Sequence, residues 1–284
     1  MLVFLINPYA GNKPKKTIDK IESLIKNIPN SIIYKTTAAG DEKNIIQNVI
    51  REKPNRIIVI GGDGTVNSVA SLLVDTKIPL AIIPTGSGNG LARHLNIPMQ
   101  FEKALEIAVN GKVIQIDVGT INNKYFFCTA GIGFEAKVAH HFSKSRKRGL
   151  INYIYSSLVS FLRYNPIEFM LKNEIKSTAF TLSIANANQY GNNAFISPKA
   201  DIQDGLFELV EIKPINFLQS ISVTFHLFNK SLHKSKFTVI RKCSEVELLY
   251  KTNEEIQIDG EPFYTESEIL KFSIKKNSLD MIRN

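Results

Sequence analysis

The sequence predicts two parts: an α/β N-terminal domain with a mostly parallel sheet, then a C-terminal antiparallel β-sandwich. Three observations carry this. Over residues 1–118, short apolar runs rich in β-branched residues alternate with helix-period patterns, which implies crossover connections between parallel strands. After Asp117, short strands crowd together between turns of Gly, Asn, Asp or Lys, as in a sandwich or barrel. The pattern shifts near Gly119 without a flexible linker, giving domains of 1–118 and 119–284 that pack closely. The last residues are free to return to the first domain. A chain of 284 residues suits two domains. The cleft between them is the default place for a site.

Four buried strands are expected in the first part, at 2–6, 31–34, 56–60 and 80–83. Between them lie three helical faces: Ile18, Ile21, Ile25 and Ile28; then Ile45, Ile46, Val49 and Ile50; then Val66, Val69, Ala70 and Leu73. In the second part, strands are expected at 121–128, 178–185, 206–212, 236–241, 245–250, 255–259 and 268–274. One helical insertion, 135–164, interrupts them. The apolar start, Met1 to Ile6, has no basic flank and stops at Asn7-Pro8, which excludes a signal peptide. The greasiest stretch, Leu150 to Tyr164, contains Asn152, three serines and Arg163, and falls short of the ~20 apolar residues of a spanning helix. A soluble, cytoplasmic protein, peripheral at the inner membrane surface, is the expectation.

Composition narrows the function. Apolar residues at 44% and charged residues at 21% exclude a mainly disordered chain. Thirty-five Lys and Arg against 26 acids leave a net charge of +9, so an anionic partner fits: nucleic acid, a phosphorylated substrate or an acidic membrane. No nucleic-acid recognition motif accompanies the charge, and none is expected as partner. Cys128 and Cys243 cannot build a disulfide framework, and no Cys/His spacing suggests zinc. His94 and the His140-His141 pair read as structural.

The strongest motif is the strand 57–60 running into Gly61-Gly62-Asp63-Gly64-Thr65-Val66-Asn67 at the start of a helix. Glycines let backbone N–H groups approach a ligand, and a helix N-terminus favours phosphate. Asp63 suits Mg²⁺ or a hydroxyl proton; the plainer alternative is a tight turn with Asp63 as helix cap. The next strand ends in Pro84-Thr85-Gly86-Ser87-Gly88-Asn89-Gly90, and parallel strands deliver both loops to one sheet edge. The first strand adds Asn7-Pro8-Tyr9-Ala10-Gly11 there, followed by Lys13, Lys15 and Lys16. None of these is a P-loop.

In combination these motifs resemble the diacylglycerol kinase catalytic-domain family, which includes bacterial diacylglycerol kinases and the sphingosine and ceramide kinases. Ile116-Asp117-Val118-Gly119, Ala130-Gly131-Ile132-Gly133-Phe134, Asp204-Gly205-Leu206-Phe207 and Ile258-Asp259-Gly260-Glu261-Pro262 follow in the family's order. NAD kinases share the Gly-Gly-Asp-Gly turn. The resemblance implies an NAD kinase/diacylglycerol kinase-like fold and an ATP-dependent lipid kinase. ATP would be bound by Asn7, Thr36, Gly61, Gly62, Asp63, Gly64, Thr65, Val66, Asn67, Ser87, Gly88 and Asn89. It implies Glu261 as catalytic base with Asp63 as the competing candidate, Asp117 in the catalytic Mg²⁺ network, and a structural Mg²⁺ at Asp201, Asp204 and the Leu206 carbonyl. Gly90 stands where many bacterial members have Asp, a pattern closer to the sphingosine and ceramide branch. An NAD kinase-like enzyme and a catalytically dead lipid-binding regulator are the alternatives.

The expected partners are a membrane lipid as substrate and, transiently, an anionic membrane surface; a homodimer is left open. Lys144 to Arg148 precede the greasy stretch 150–164, a pairing that suits an acidic bilayer or a core helix with a solvated start. The basic segment from Lys230 to Lys242 has the same two readings. Glu135, after the Gly-Ile-Gly-Phe turn, is expected to face substrate.

Overall fold

The computed structural model describes residues 1–12, 15–38, 40–144, 150–162, 164–172, 176–250 and 255–284. They form two compact units, Met1–Ile116 with Asn277–Asn284, and Asp117–Lys276. The first holds β1 (Leu2–Ile6), α1 (Lys15–Lys26), β2 (Ser31–Lys35), α2 (Asp41–Arg51), β3 (Arg56–Gly61), α3 (Asp63–Leu73), β4 (Leu80–Pro84), α4 (Gly90–His94), α5 (Phe101–Asn110) and the start of β5 (Lys112–Ile121). Its strands pair in parallel in the order β2-β1-β3-β4. Val3, Ile57, Leu80 and their neighbours are fully buried, because helices cover both faces of such a sheet and its strands read as continuous apolar runs. The strand order reverses between β1 and β3. In open parallel sheets, ligands bind beyond the carboxyl ends of the strands at that point.

The second unit follows with β6 (Lys124–Phe126), β7 (Thr129–Gly133), α6 (Phe134–Ser143), α7 (Leu150–Leu162), β8 (Ile167–Leu171), β9 (Ser177–Ala179), β10 (Thr181–Ala185), β11 (Phe207–Ile212), α8 (Phe217–Phe228), β12 (Thr238–Cys243), β13 (Glu245–Leu249), β14 (Ile256–Ile258), β15 (Glu261–Phe263) and β16 (Ile269–Arg283). The last residues of β16 belong to the first unit, where Met281 pairs in parallel with Leu80. An antiparallel sheet runs β12-β11-β10-β7-β14-β15. Opposite it, β13 pairs with β16 and β8, and β8 with β9, all antiparallel. The sandwich core contains Phe126, Leu182, Ile184, Phe207, Leu209, Leu248 and Phe272, with Phe126 and Phe207 stacked at 5.5 Å. A second cluster, Phe180, Ala185, Val210, Ile212 and Val223, lies on the other face of β10 and β11. Both faces of these two strands are therefore covered.

The sequence reading did not place α4, α5 or β8, and it departs from the structure at three further elements. The expected strand 121–128 is a hairpin, turned at Asn122 with a left-handed φ of 50°, between β5 and β6. Thr129–Gly133, whose glycines suggested a turn, is a fully buried strand between β10 and β14. The helix α8 was not anticipated: Phe217 to Phe228 has no charged face to mark its period. The helical insertion comprises α6 and α7; residues 145–149 of it lie outside the described residues.

Candidate active site

In the first unit the three glycine loops meet at the reversal point of the sheet. Asn7, just past β1, donates from Nδ2 to Thr65 Oγ1 at 2.8 Å, tying the loop after β1 to the one after β3. Gly11 has φ 71°, and a Cβ there would lie 1.9 Å from the Thr85 carbonyl oxygen. A Cβ on Gly86 would lie 2.6 Å from Gly62 Cα. The loops pack backbone against backbone, so close approach alone demands glycine at these positions.

Asp63 is the first residue of α3, but its carboxylate caps a different helix. Oδ2 accepts from Asn89 N–H and Oδ1 from Gly90 N–H, both at 2.7 Å, at the start of α4. Burial pushes this carboxyl above the usual carboxylate range, against the two N–H donors and the charge of Arg93. Asn89, left-handed at φ 53°, returns a bond from Nδ2 to the Gly86 carbonyl at 2.7 Å. Asp63 thus clamps the second glycine loop onto the first turn of α3. Thr65 is buried, Asn67 half-buried, and Gly64 and Ser87 exposed, with Gly88 between Ser87 and the clamp. The Val66 side chain is 4% exposed in the core, which leaves only its backbone for any ligand, and that N–H already donates to the Gly62 carbonyl at 3.0 Å. Lys13 lies outside the described residues, and so does the side chain of Lys15.

Two buried hydroxyls at this edge have no partner. Thr36 Oγ1, just past β2, and Thr85 Oγ1, just past β4, are enclosed without a hydrogen bond among the described residues. A buried unsatisfied hydroxyl costs about 1–3 kcal/mol, so two at one sheet edge mark a place where a polar ligand completes the structure. Hydroxyls and loop N–H groups are the donors a nucleotide phosphate requires, and the residues present fit such a group.

The acids of the second unit fall into two clusters. Asp117 is buried; its Oδ2 accepts from Gly205 N–H at 2.7 Å, and its backbone N–H donates to the Ile202 carbonyl at 2.8 Å. It holds the turn that carries Asp201, Asp204 and Leu206. Asp201 accepts from Gln203 N–H at 3.0 Å. Asp204 is engaged on both oxygens, by Leu206 N–H at 3.0 Å and Lys242 Nζ at 2.7 Å. Lys242 balances the charge of this turn, whose oxygen donors, the Asp201 and Asp204 carboxylates and the Leu206 carbonyl, are of the kind that would hold Mg²⁺. Among the described residues, no three His, Cys, Asp or Glu side chains gather as a metal site.

The second cluster surrounds the Asp259-Gly260 turn. Both residues have positive φ, 50° and 81°, as a two-residue type I′ hairpin between β14 and β15 requires. Asp259 accepts three backbone N–H bonds, from Phe127, Cys128 and Thr129, at 2.7–3.0 Å. Gln257 accepts from Gly260 N–H at 2.8 Å and donates to Glu135 Oε1 at 3.0 Å. Glu135, on α6, also accepts from the Tyr190 hydroxyl. Burial pushes its carboxyl up to about 7, against the hydrogen bonds of Tyr190, Gln257 and Ser183. Glu261 opens β15, exposed, next to this braced turn. Sequence reading missed the roles of Asp259, Gln257 and Tyr190. The one available signal was Asp-Gly as a hairpin turn, and it says nothing of a carboxylate reaching back over 130 residues.

Comparison with known proteins agrees with this architecture. Residues 1–121 match the model of the diacylglycerol kinase catalytic domain, and residues 128–271 that of the YegS C-terminal NAD kinase β-sandwich-like domain. A diacylglycerol kinase of Mycobacterium tuberculosis is 31% identical over 182 residues, covering 60% of this chain and 59% of its own length. A diacylglycerol kinase of Bacillus subtilis is 27% identical over 240 residues, covering 80% of this chain and 78% of its own. The crystal structure of a diacylglycerol kinase from Bacillus anthracis superposes with a TM-score of 0.76 at 21% identity, over 100% of this chain and 96% of that one. With both halves matched in order on the expected fold, the chain belongs to the diacylglycerol kinase catalytic-domain family.

Proposed function

We propose that this protein is an ATP-dependent lipid kinase that transfers the γ-phosphoryl group of Mg-ATP to a lipid hydroxyl. The observation that carries the reading is the pair of unpartnered buried hydroxyls, Thr36 and Thr85, at the edge where three glycine loops converge. Phosphoryl transfer asks the protein mainly to position its reactants and to stabilise charge. In this reading Thr36, Thr85, Ser87 and the loop N–H groups of 61–67 and 87–89 other than those of Val66 and Asn89 bind the phosphates, and Asn7 holds Thr65 in place. Asp63, with both oxygens committed to the second loop, is a positioning residue. That leaves Glu261, an exposed carboxylate on a braced turn, as the group that accepts the lipid hydroxyl proton. Asp117 holds the 201–206 turn, and Asp201, Asp204 and the Leu206 carbonyl would hold a structural Mg²⁺ there, apart from the transferred phosphate.

The acceptor class is a hydroxylated membrane lipid, either diacylglycerol or a long-chain base. No helix among the described residues is long and apolar enough to cross a membrane. A kinase of this kind works from the cytoplasmic side, at the membrane surface.

The test is transfer from labelled ATP by the purified chain to diacylglycerol, monoacylglycerol, long-chain bases, ceramide, phosphatidylglycerol and NAD in parallel. Label in one lipid is the expected result. Label in NAD alone would instead establish an NAD kinase, and no transfer with no ATP binding at millimolar concentration would establish a dead site. Glu261→Gln should lower kcat by ~10²–10⁴, the range for loss of a general base, with ATP affinity retained.

A further inference from the structure

Helix α8 is turned inside out. Its exposed apolar residues are Phe217, Leu218, Ile221, Phe225 and Phe228, while Val223 is its buried one. At ~100° per residue the exposed five fall within one stripe about 100° wide, the width that ordinarily faces a core. Here it faces outward, with Leu218 76% exposed. Helix α7 repeats the spacing: Ile154, Tyr155, Leu158 and Leu162 are exposed, Leu162 at 81%. The two helices meet, the rings of Phe161 and Phe217 lying 5.7 Å apart, and both pack on the Phe180 cluster.

The charge around the stripe has one sign. From Ile212 to Ser244 the chain contains no Asp or Glu, but six Lys or Arg and two His. Lys213, Lys230, Lys234 and Lys236 are exposed, and among the described residues no carboxylate pairs with them. Even the helix cap is uncharged, an Asn216–Gln219 capping box where acids are ordinarily favoured. An apolar stripe in a segment whose exposed cations have no carboxylate partner, Lys230 and Lys236 lying over the rings of Phe195 and Phe237, matches an anionic bilayer, with acyl chains taking the stripe and phosphate headgroups the lysines.

We infer that the outward faces of α7 and α8 dock the protein on an anionic lipid bilayer. The inference rests on the lipid-kinase reading only for why a bilayer is the workplace. Its test turns on binding, with turnover as a separate control.

The experiment is co-sedimentation of the full chain with vesicles of phosphatidylcholine, with and without one quarter phosphatidylglycerol. The parent should bind the mixed vesicles and bind neutral ones far less. Ile221→Asn with Phe225→Asn should weaken binding on the order of 100-fold, from the apolar area removed. Lys213→Gln with Lys234→Gln should weaken it roughly 30-fold and only on acidic vesicles, at ~1 kcal/mol per cation. All four residues are exposed, so both variants should keep the parent melting temperature and its transfer to lipid dispersed in detergent. Parental binding by the Asn variant overturns the inference, as does a parent that ignores acidic vesicles. A parent dimer that the Asn variant splits also overturns it, because the face is then covered by a second copy. Vesicle binding without phosphorylation of any lipid leaves the docking intact and removes the kinase reading.

Discussion

Glu135→Gln isolates the energetic cost of one buried carboxylate. In the unfolded chain Glu135 titrates near 4.5, and in the folded chain burial raises it to about 7. Between those values the folded protein holds a proton that the unfolded chain has released. Its stability therefore falls as pH rises from about 4.5, and the loss is complete above about 7. At 1.36 kcal/mol per pH unit the gap amounts to about 3 kcal/mol. Glutamine reproduces the protonated acid. Its oxygen accepts from Gln257, whose amide is oriented by the Gly260 N–H, and its NH₂ faces the Tyr190 hydroxyl, which turns toward Ser183. Melting curves of parent and variant from pH 4.5 to 8 measure the difference. The two should coincide at the acid end and diverge until the variant melts on the order of 5–10 °C higher at pH 8, at ~2–4 °C per kcal/mol. A difference that stays constant across the range, or a variant less stable at pH 8, would refute the reasoning.

Asp63→Asn should cut turnover at least ~100-fold and also lower stability by ~1–3 kcal/mol, because one of the two N–H groups at the start of α4 loses its acceptor; kcat and a denaturant midpoint read the two effects separately. Asp259→Ala frees three backbone N–H groups at once and should destabilise the second unit by more than any single-acceptor loss, measured by hydrogen exchange at Phe127, Cys128 and Thr129. Gly131→Ala places a Cβ 1.8 Å from Glu135 Oε1 and 2.5 Å from the Leu182 carbonyl oxygen, so expression should yield little folded protein. Soluble Gly131→Ala with a parental melt would show that Glu135 can leave its place over β7.

The parallel sheet was legible because buried strands carry their own signature: 2–6, 57–61 and 80–84 are apolar runs that end in glycine loops, whereas the edge strand 31–35, also expected to be buried, has no buried residue. The convergence of those loops followed from the rule that parallel strands end at one edge. What stayed hidden was long-range or lacked a period. Asp63, read as a group for Mg²⁺ or a hydroxyl proton with a cap for its own helix as the alternative, holds the N-terminus of α4, 27 residues on. Lys242 sits 38 residues from Asp204, and nothing local signals that ion pair. β7 was disguised by Gly131 and Gly133, which are small because Glu135 and Phe180 press on them. Helix α8 escaped because apolar residues fall on both its buried and its exposed sides and no charged face marks its period.

The way β16 is shared bears on the order in which the protein folds. Residues 277–284 are part of the first unit, where Met281 closes the open side of β4. They leave the ribosome only after the 160 residues of the second unit, Asp117–Lys276. Until then the nascent parallel sheet presents β4 as a bare edge of apolar backbone, the kind of template that recruits stray strands. A fragment ending at Ile116 should therefore self-associate, and adding a peptide of residues 277–284 should suppress it. The chain's last strand acts as a latch that is thrown only once everything before it has been made.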